Sequence, residues 1–158
     1  MSATTGRADE VRTMVDTPLE GNDMAGSDNK AAARKVLEEI FPANDEAALR
    51  EVISDEFVNH EAPPGTPPGL GGITMFMHLL NEAFSQQRWE IHDVVAEGDT
   101  VVVRCTHSGV HTGQFFDLPA SGRRFSYNQM HMLRMRDSKA AKHWAVRDDA
   151  SLMRQLTA

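Results

Sequence analysis

The chain is poor in the residues that mark the commoner chemistries. Cys105 is its single cysteine among 158 residues, so no internal disulfide can form and a reducing, cytoplasmic setting is expected. Positive charge is scarce: Lys plus Arg is 16 against 23 for Asp plus Glu, a net charge of −7. Neutralising phosphates or adhering to acidic lipid needs the opposite sign, which argues against nucleic-acid and membrane partners. No apolar run approaches the roughly 20 residues of a spanning helix, and the N-terminus lacks the charged-then-apolar pattern of a secretory signal. A phosphate-cradling glycine loop and a dinucleotide fingerprint are both missing. His107 and His111 are four residues apart, but in a strand that spacing does not mimic the helical zinc pair, and no histidine–cysteine cluster has zinc spacing. No serine or cysteine stands out as a nucleophile. The expectation is a protein without a bound metal.

What remains suffices for one domain with a real core and one pocket, since 41% of the residues are apolar. Residues 1–28 are polar, acidic and rich in small residues, without a period, and are expected to form a disordered tail. Folding is expected over 29–158. Val36, Leu37, Ile40 and Phe41 make one helical face that Pro42 ends. Asn44 is expected to cap a second helix with Ala48, Leu49, Val52 and Ile53 inward. A short extended piece, Phe57 to His60, leads into EAPPGTPPGLGG, read as a stiff loop. Phe76, Met77, Leu80 and Phe84 then recur at helical spacing over 73–86.

The second half changes period. Trp89 to Val95, Val101 to His111, Arg124 to Arg136 and Ala140 to Arg147 read as strands, and a short helix closes the chain, capped by Asp149 or Ser151. Helices followed by an antiparallel meander make an α+β fold. A strongly bent sheet wrapping a long helix gives a cone with one open end, a natural ligand cavity.

The titratable groups point to acid/base chemistry. Histidine begins with a pKa of about 6.5, close to what a general base needs. His131 lies mid-strand on the face of Tyr127, Gln129 and Leu133. It is a pocket base, with Gln129 fixing its ring or binding a substrate carbonyl, or a buried histidine satisfied by backbone, or an exposed one on the outer face. His111, at a strand end, either faces the ligand or holds the following loop. One of His143 and Trp144 faces inward. With Asp149 as cap, Asp148 is left free to serve as a base, and Arg147 either holds an enolate oxygen or pairs with these aspartates. Asn59 and His60 close the cavity mouth or anchor the proline loop. Tyr127 donates to a substrate oxygen or packs the core. Phe76, Met77, Phe84, Phe115, Phe116, Met130 and Met132 would suit a flat aromatic ligand.

Taken in order, Asn59-His60 with the following PPGTPPG, Gly109-Val110-His111-Thr112-Gly113, Pro119-x-x-Gly122-Arg123, Gln129-x-His131, His143 and Arg154-Gln155-Leu156 resemble the SnoaL-like polyketide cyclase family. That family has the cone-shaped α+β fold of nuclear transport factor 2. The resemblance spans about 29–156. It implies a small, cofactor-free homodimer or homotetramer acting on a hydrophobic, aromatic polyketide. The best-understood members close the last ring of an anthracycline precursor by intramolecular aldol condensation; others are hydroxylases, act on epoxides, or have no known activity. The residue chemistry and that resemblance together make His131, His143 and Asp148 the catalytic candidates, with Gln129, His111, Tyr127, Arg147, Asn59 and His60 around the substrate. The acid/base aspartate of the aldol cyclase falls on Ala145 here, which brings a hydroxylase or a non-catalytic binding protein into consideration.

Overall fold

The computed structural model describes residues 20–158. Its first element, α1, spans Glu20–Lys35. The helix therefore starts well inside the stretch expected to be a tail; residues 1–19 lie outside the described residues. It runs on through a π-helical segment, Val36–Ile40, in which the Phe41 amide reaches back to the Val36 carbonyl, and through the short α2, Phe41–Ala43. The wider turn lets Ala33, Leu37, Ile40 and Phe41 all become buried. Asn44 ends this rod in the left-handed conformation rather than opening the next one. The cap of α3, Glu46–Val52, is Asp45, whose carboxylate accepts from the Ala48 amide at 2.9 Å.

β1, Ile53–Asn59, leads into the proline loop. α4, Gly69–Ala83, begins inside the stretch read as loop. Gly69 has φ +70 and lies against the Asp55 carbonyl, so only glycine fits this close turn. α4 ends at Ala83 because Phe84 is already extended. It is the first residue of β2, Phe84–Glu97, which pairs with β3, Thr100–His111. β4, Arg124–Arg136, β5, Lys139–Arg147, and α5, Asp149–Thr157, complete the chain.

The sheet order is β1-β5-β4-β3-β2. All neighbours are antiparallel except β1, which joins β5 in parallel. Two register shifts in β2, one at Gln86 with φ 52, and one in β4 against β5 supply the bends that curl the sheet. Strict alternation puts Val101, Val103, Cys105, His107 and His111 of β3 on the inner face, all fully buried. The helices lie inside the curl, α1 against β2 and β3, α4 against β1 and β2, with α5 against β4. This is the expected α+β cone. Its outer face leaves Val95, Met130, Met132 and Val146 exposed.

Candidate active site

The inner face and the helices enclose a cavity of about 340 Å³. Its walls are mostly apolar: Val36, Leu37 and Phe41 from the first rod, Ile73, Phe76 and Leu80 from α4, and Phe115 and Phe116 from the β3–β4 loop. Polar groups converge from β1, β4 and β5, namely Asn59, Tyr127, Gln129, His131, His143 and Arg147, with Asp149 at the start of α5. Of the residues suggested to seat a flat ring, Phe76, Phe115 and Phe116 line this space. Met77 and Phe84 are core, and Met130 and Met132 stand on the outside of the sheet.

Four of the polar side chains form one hydrogen-bonded row. Asn59 Oδ1 meets His143 Nδ1 at 2.8 Å, His143 Nε2 meets His131 Nδ1 at 2.9 Å, and His131 Nε2 meets Gln129 Oε1 at 2.8 Å. Both amides are held in place from outside the row. Gln129 Oε1 accepts from the Trp89 indole N–H at 3.2 Å, and Asn59 Oδ1 accepts from the Glu61 amide at 3.1 Å. An indole and a backbone amide can only donate, so carbonyl oxygens face both imidazoles. Hydrogens on the outer nitrogens, His131 Nε2 and His143 Nδ1, satisfy both of these contacts.

A neutral imidazole has one N–H. Three contacts therefore share two hydrogens and one contact goes without; with both hydrogens turned outwards, the inner contact sets two lone pairs against each other. One further proton would turn it into an N–H···N bond. Burial opposes that proton. It pushes His143 down to about 4, with Arg147 and His60 acting in the same direction, and His131 well below 6.5, with His143 and Arg147 adding to it. The pair is thus a neutral base whose protonated form already has its acceptors in place.

A second row lies behind Tyr127. His107, fully buried, stacks on Trp89 with ring centroids 3.9 Å apart and contacts the Tyr127 hydroxyl at 3.3 Å and Gln87 at 3.1 Å. Burial pushes His107 down to about 3 and Tyr127 up to about 12, the Asp149 charge adding to the latter.

The family model described as SnoaL-like polyketide cyclase matches residues 31–156. The chain belongs to that family. It is 35% identical over 111 residues to the aklanonic acid methyl ester cyclase of Streptomyces peucetius, covering 68% of this chain and 77% of that one. Among solved structures, TsrD from Streptomyces laurentii superposes with a TM-score of 0.77 at 27% identity, covering 84% of this chain and 96% of that one. IdmH from Streptomyces antibioticus gives 0.69 at 31% identity, covering 84% and 99%.

Within this SnoaL-like frame the anticipated site residues separate. Asn59, Tyr127, Gln129, His131, His143 and Arg147 meet at the cavity. His111 does not: its Nδ1 contacts Ser121 Oγ at 2.9 Å and its backbone bonds Gly122 and Arg123, so it anchors the β3–β4 loop. The Ser121 amide also points at Nδ1, which leaves Nε2 with the hydrogen and with no partner, against the Phe84 ring. His60 is exposed and stacks on Trp144 at 4.6 Å, outside the cavity. Asp148, expected to be free, is the cap of α5: it is exposed and accepts from the Ser151 amide at 3.0 Å. Asp149, expected to be the cap, lines the cavity instead and lies 3.8 Å from Arg147. In the β4–β5 register Ala145 stands directly across from His131, where a carboxylate would face the imidazole. Sequence reasoning weighed His107 only as a zinc ligand, although the period of two already places it beside Val103 and Cys105 on the inner face. Among the described residues no group of three or more His, Cys, Asp or Glu side chains converges as a metal ion needs.

Proposed function

We propose that this SnoaL-like protein is a cofactor-independent enzyme of polyketide biosynthesis that closes a ring within one substrate molecule. The observation that carries the reading is the His131–His143 pair, two neutral imidazoles whose facing lone pairs lack one proton, set in the wall of an apolar cavity. The inner contact is the weakest link of the row, so an acidic C–H beside a substrate carbonyl can take its place. The pair accepts that proton, and the electrons of the C–H bond pass into an enolate. Arg147, on the same wall, stabilises the enolate oxygen. The negative charge beside the pair offsets the burial that otherwise keeps it neutral. The enolate carbon attacks a second carbonyl of the same molecule, forming the new C–C bond, and the resulting alkoxide takes the proton back. Holding both reacting carbons in one cavity contributes several kcal/mol by proximity.

The likeness to an aklanonic acid methyl ester cyclase supports a polyketide ester as substrate. The histidine pair takes the place of the aspartate that Ala145 has removed. A homodimer or homotetramer joined through the exposed apolar back of the sheet, working in the cytoplasm, completes the reading. The test is mass spectrometry of the protein incubated aerobically, without added cofactor, with ring-open polyketide esters. A product of unchanged mass, or one lacking a water, is expected. A product with an added oxygen would replace cyclisation by hydroxylation, and tight binding without product would make the protein a carrier.

A further inference from the structure

The second row of hydrogen bonds fixes the direction of a proton, and with it the kind of substrate group that Tyr127 can meet. The row starts at two obligate acceptors. Asn81 Nδ2 donates both its hydrogens, to the Phe41 carbonyl at 2.8 Å and to the Met77 carbonyl at 2.9 Å. The other end of the Asn81 amide is therefore its oxygen, and it accepts from Gln87 Nε2 at 3.2 Å. That orients Gln87, whose Oε1 then faces His107 Nε2 at 3.1 Å. An amide oxygen only accepts, so Nε2 of His107 carries the hydrogen. The ring is stacked on Trp89 and packed edge-on against Phe84 and Phe125, which leaves no room for water to stabilise a second proton. His107 Nδ1 is thus a bare lone pair, and the Tyr127 hydroxyl at 3.3 Å must donate to it.

We infer that Tyr127 presents an acceptor, not a donor, to the cavity, and that it selects substrates carrying a hydroxyl, a phenol or an enol, at the position it faces. Its only hydrogen is committed to His107, while the residue itself lines the cavity. A substrate carbonyl there would set oxygen lone pairs against oxygen lone pairs. A substrate hydroxyl completes the row and continues its polarity from ligand to Tyr127, His107, Gln87, Asn81 and the two backbone carbonyls. Gln129, whose oxygen is taken by Trp89 and His131, offers only its amide hydrogens, so carbonyl recognition falls to it and to Arg147. The inference rests on the cavity being the substrate site, and names the class of substrate it takes: a carbonyl compound that also bears a free hydroxyl.

Two measurements on the full-length protein test it without relying on turnover. Long-range proton–nitrogen NMR of histidine-labelled protein reports which nitrogen of His107 is protonated. Hydrogen on Nε2 is expected, and hydrogen on Nδ1 would overturn the inference. Binding is then compared for 2-naphthol and its methyl ether, 2-methoxynaphthalene, by fluorescence titration. The wild type should prefer the naphthol about three- to tenfold, the worth of one hydrogen bond. Tyr127→Phe should bind both about equally. In Gln87→Leu, where His107 is released to carry its hydrogen on Nδ1, the preference should vanish or invert. Equal binding of the two probes by the wild type, or an undiminished preference in Tyr127→Phe, would refute the assignment. If the protein closes no ring while the tautomer and the preference hold, the cyclase reading fails and this one stands.

Discussion

The two rows of hydrogen bonds at the cavity wall differ in one respect: the number of protons they hold. The row through Asn81, Gln87, His107 and Tyr127 runs in a single direction and has a hydrogen for every link. The row from Asn59 through His143 and His131 to Gln129 has acceptors at both ends and one hydrogen too few. Both are built from buried or half-buried histidines and carboxamides. A proton-complete row can only hold its members in place and impose a polarity. On the proposed reading the proton-deficient row is the reactive one, because taking up one proton repairs it. What makes a buried histidine a base here is the direction of the amides on either side, more than its burial.

The comparison can be broken at its reactive end. His131→Ala should lower turnover by about a hundredfold or more, the usual worth of a general base, while a cooperative melt persists. An unchanged rate in that variant would remove His131 from the chemistry. Acid should act on both rows. His107, His131 and His143 all have folded pKa values below their unfolded ones, so the unfolded chain binds more protons as the pH falls. The stability present above about pH 6.5 should decline towards pH 4, by roughly 1.4 kcal/mol per unit of depression at each site. Denaturant titrations across that range check it, and a flat profile would mean that these rings are hydrated. The rate should hold at neutral pH and fall only in acid, as the pair fills.

His107→Phe tests the other row. It strands Gln87 and the Tyr127 hydroxyl, and should cost about 1–3 kcal/mol of stability while lowering turnover much less than His131→Ala does. A loss as large as that of His131→Ala would mean the second row also moves protons. Asp148→Ala should have the smallest effect, about 1 kcal/mol from the lost cap of α5 with the rate unchanged. A large loss of rate in this variant would return Asp148 to the site.

Much of the sheet could be read from the chain because a period of two forces it. Phe125, Tyr127, Gln129 and His131 had to share one face, and the cavity lies on that face. Other features depend on contacts far apart in sequence. Asn59 reaches His143 because β1 lies parallel to β5 across 84 residues, a pairing no local pattern encodes. α4 extends back to Gly69 through residues of poor helix propensity because the turn fits closely against Asp55. Asp148 and Asp149 are adjacent carboxylates at a strand-to-helix junction. Which one caps and which one faces the cavity follows from where β5 ends, and strand ends are not marked to the residue. Proton counts lie further still from the sequence, since they need the partners of every amide.

The π-helical segment Val36–Ile40 has a consequence of a different sort. It holds one residue more than an ordinary turn, and Val36 and Leu37 within it form part of the cavity roof. Removing a single codon there would let the segment close into plain α-helix with the residues on either side keeping their faces, because the wide turn is what absorbs the extra residue. Ala33 and Phe41 would stay in the roof while one side chain between them was lost. The smallest change of length a gene can undergo would thus trim the ceiling of the cavity while the β4 and β5 wall, with its histidines, stayed where it is.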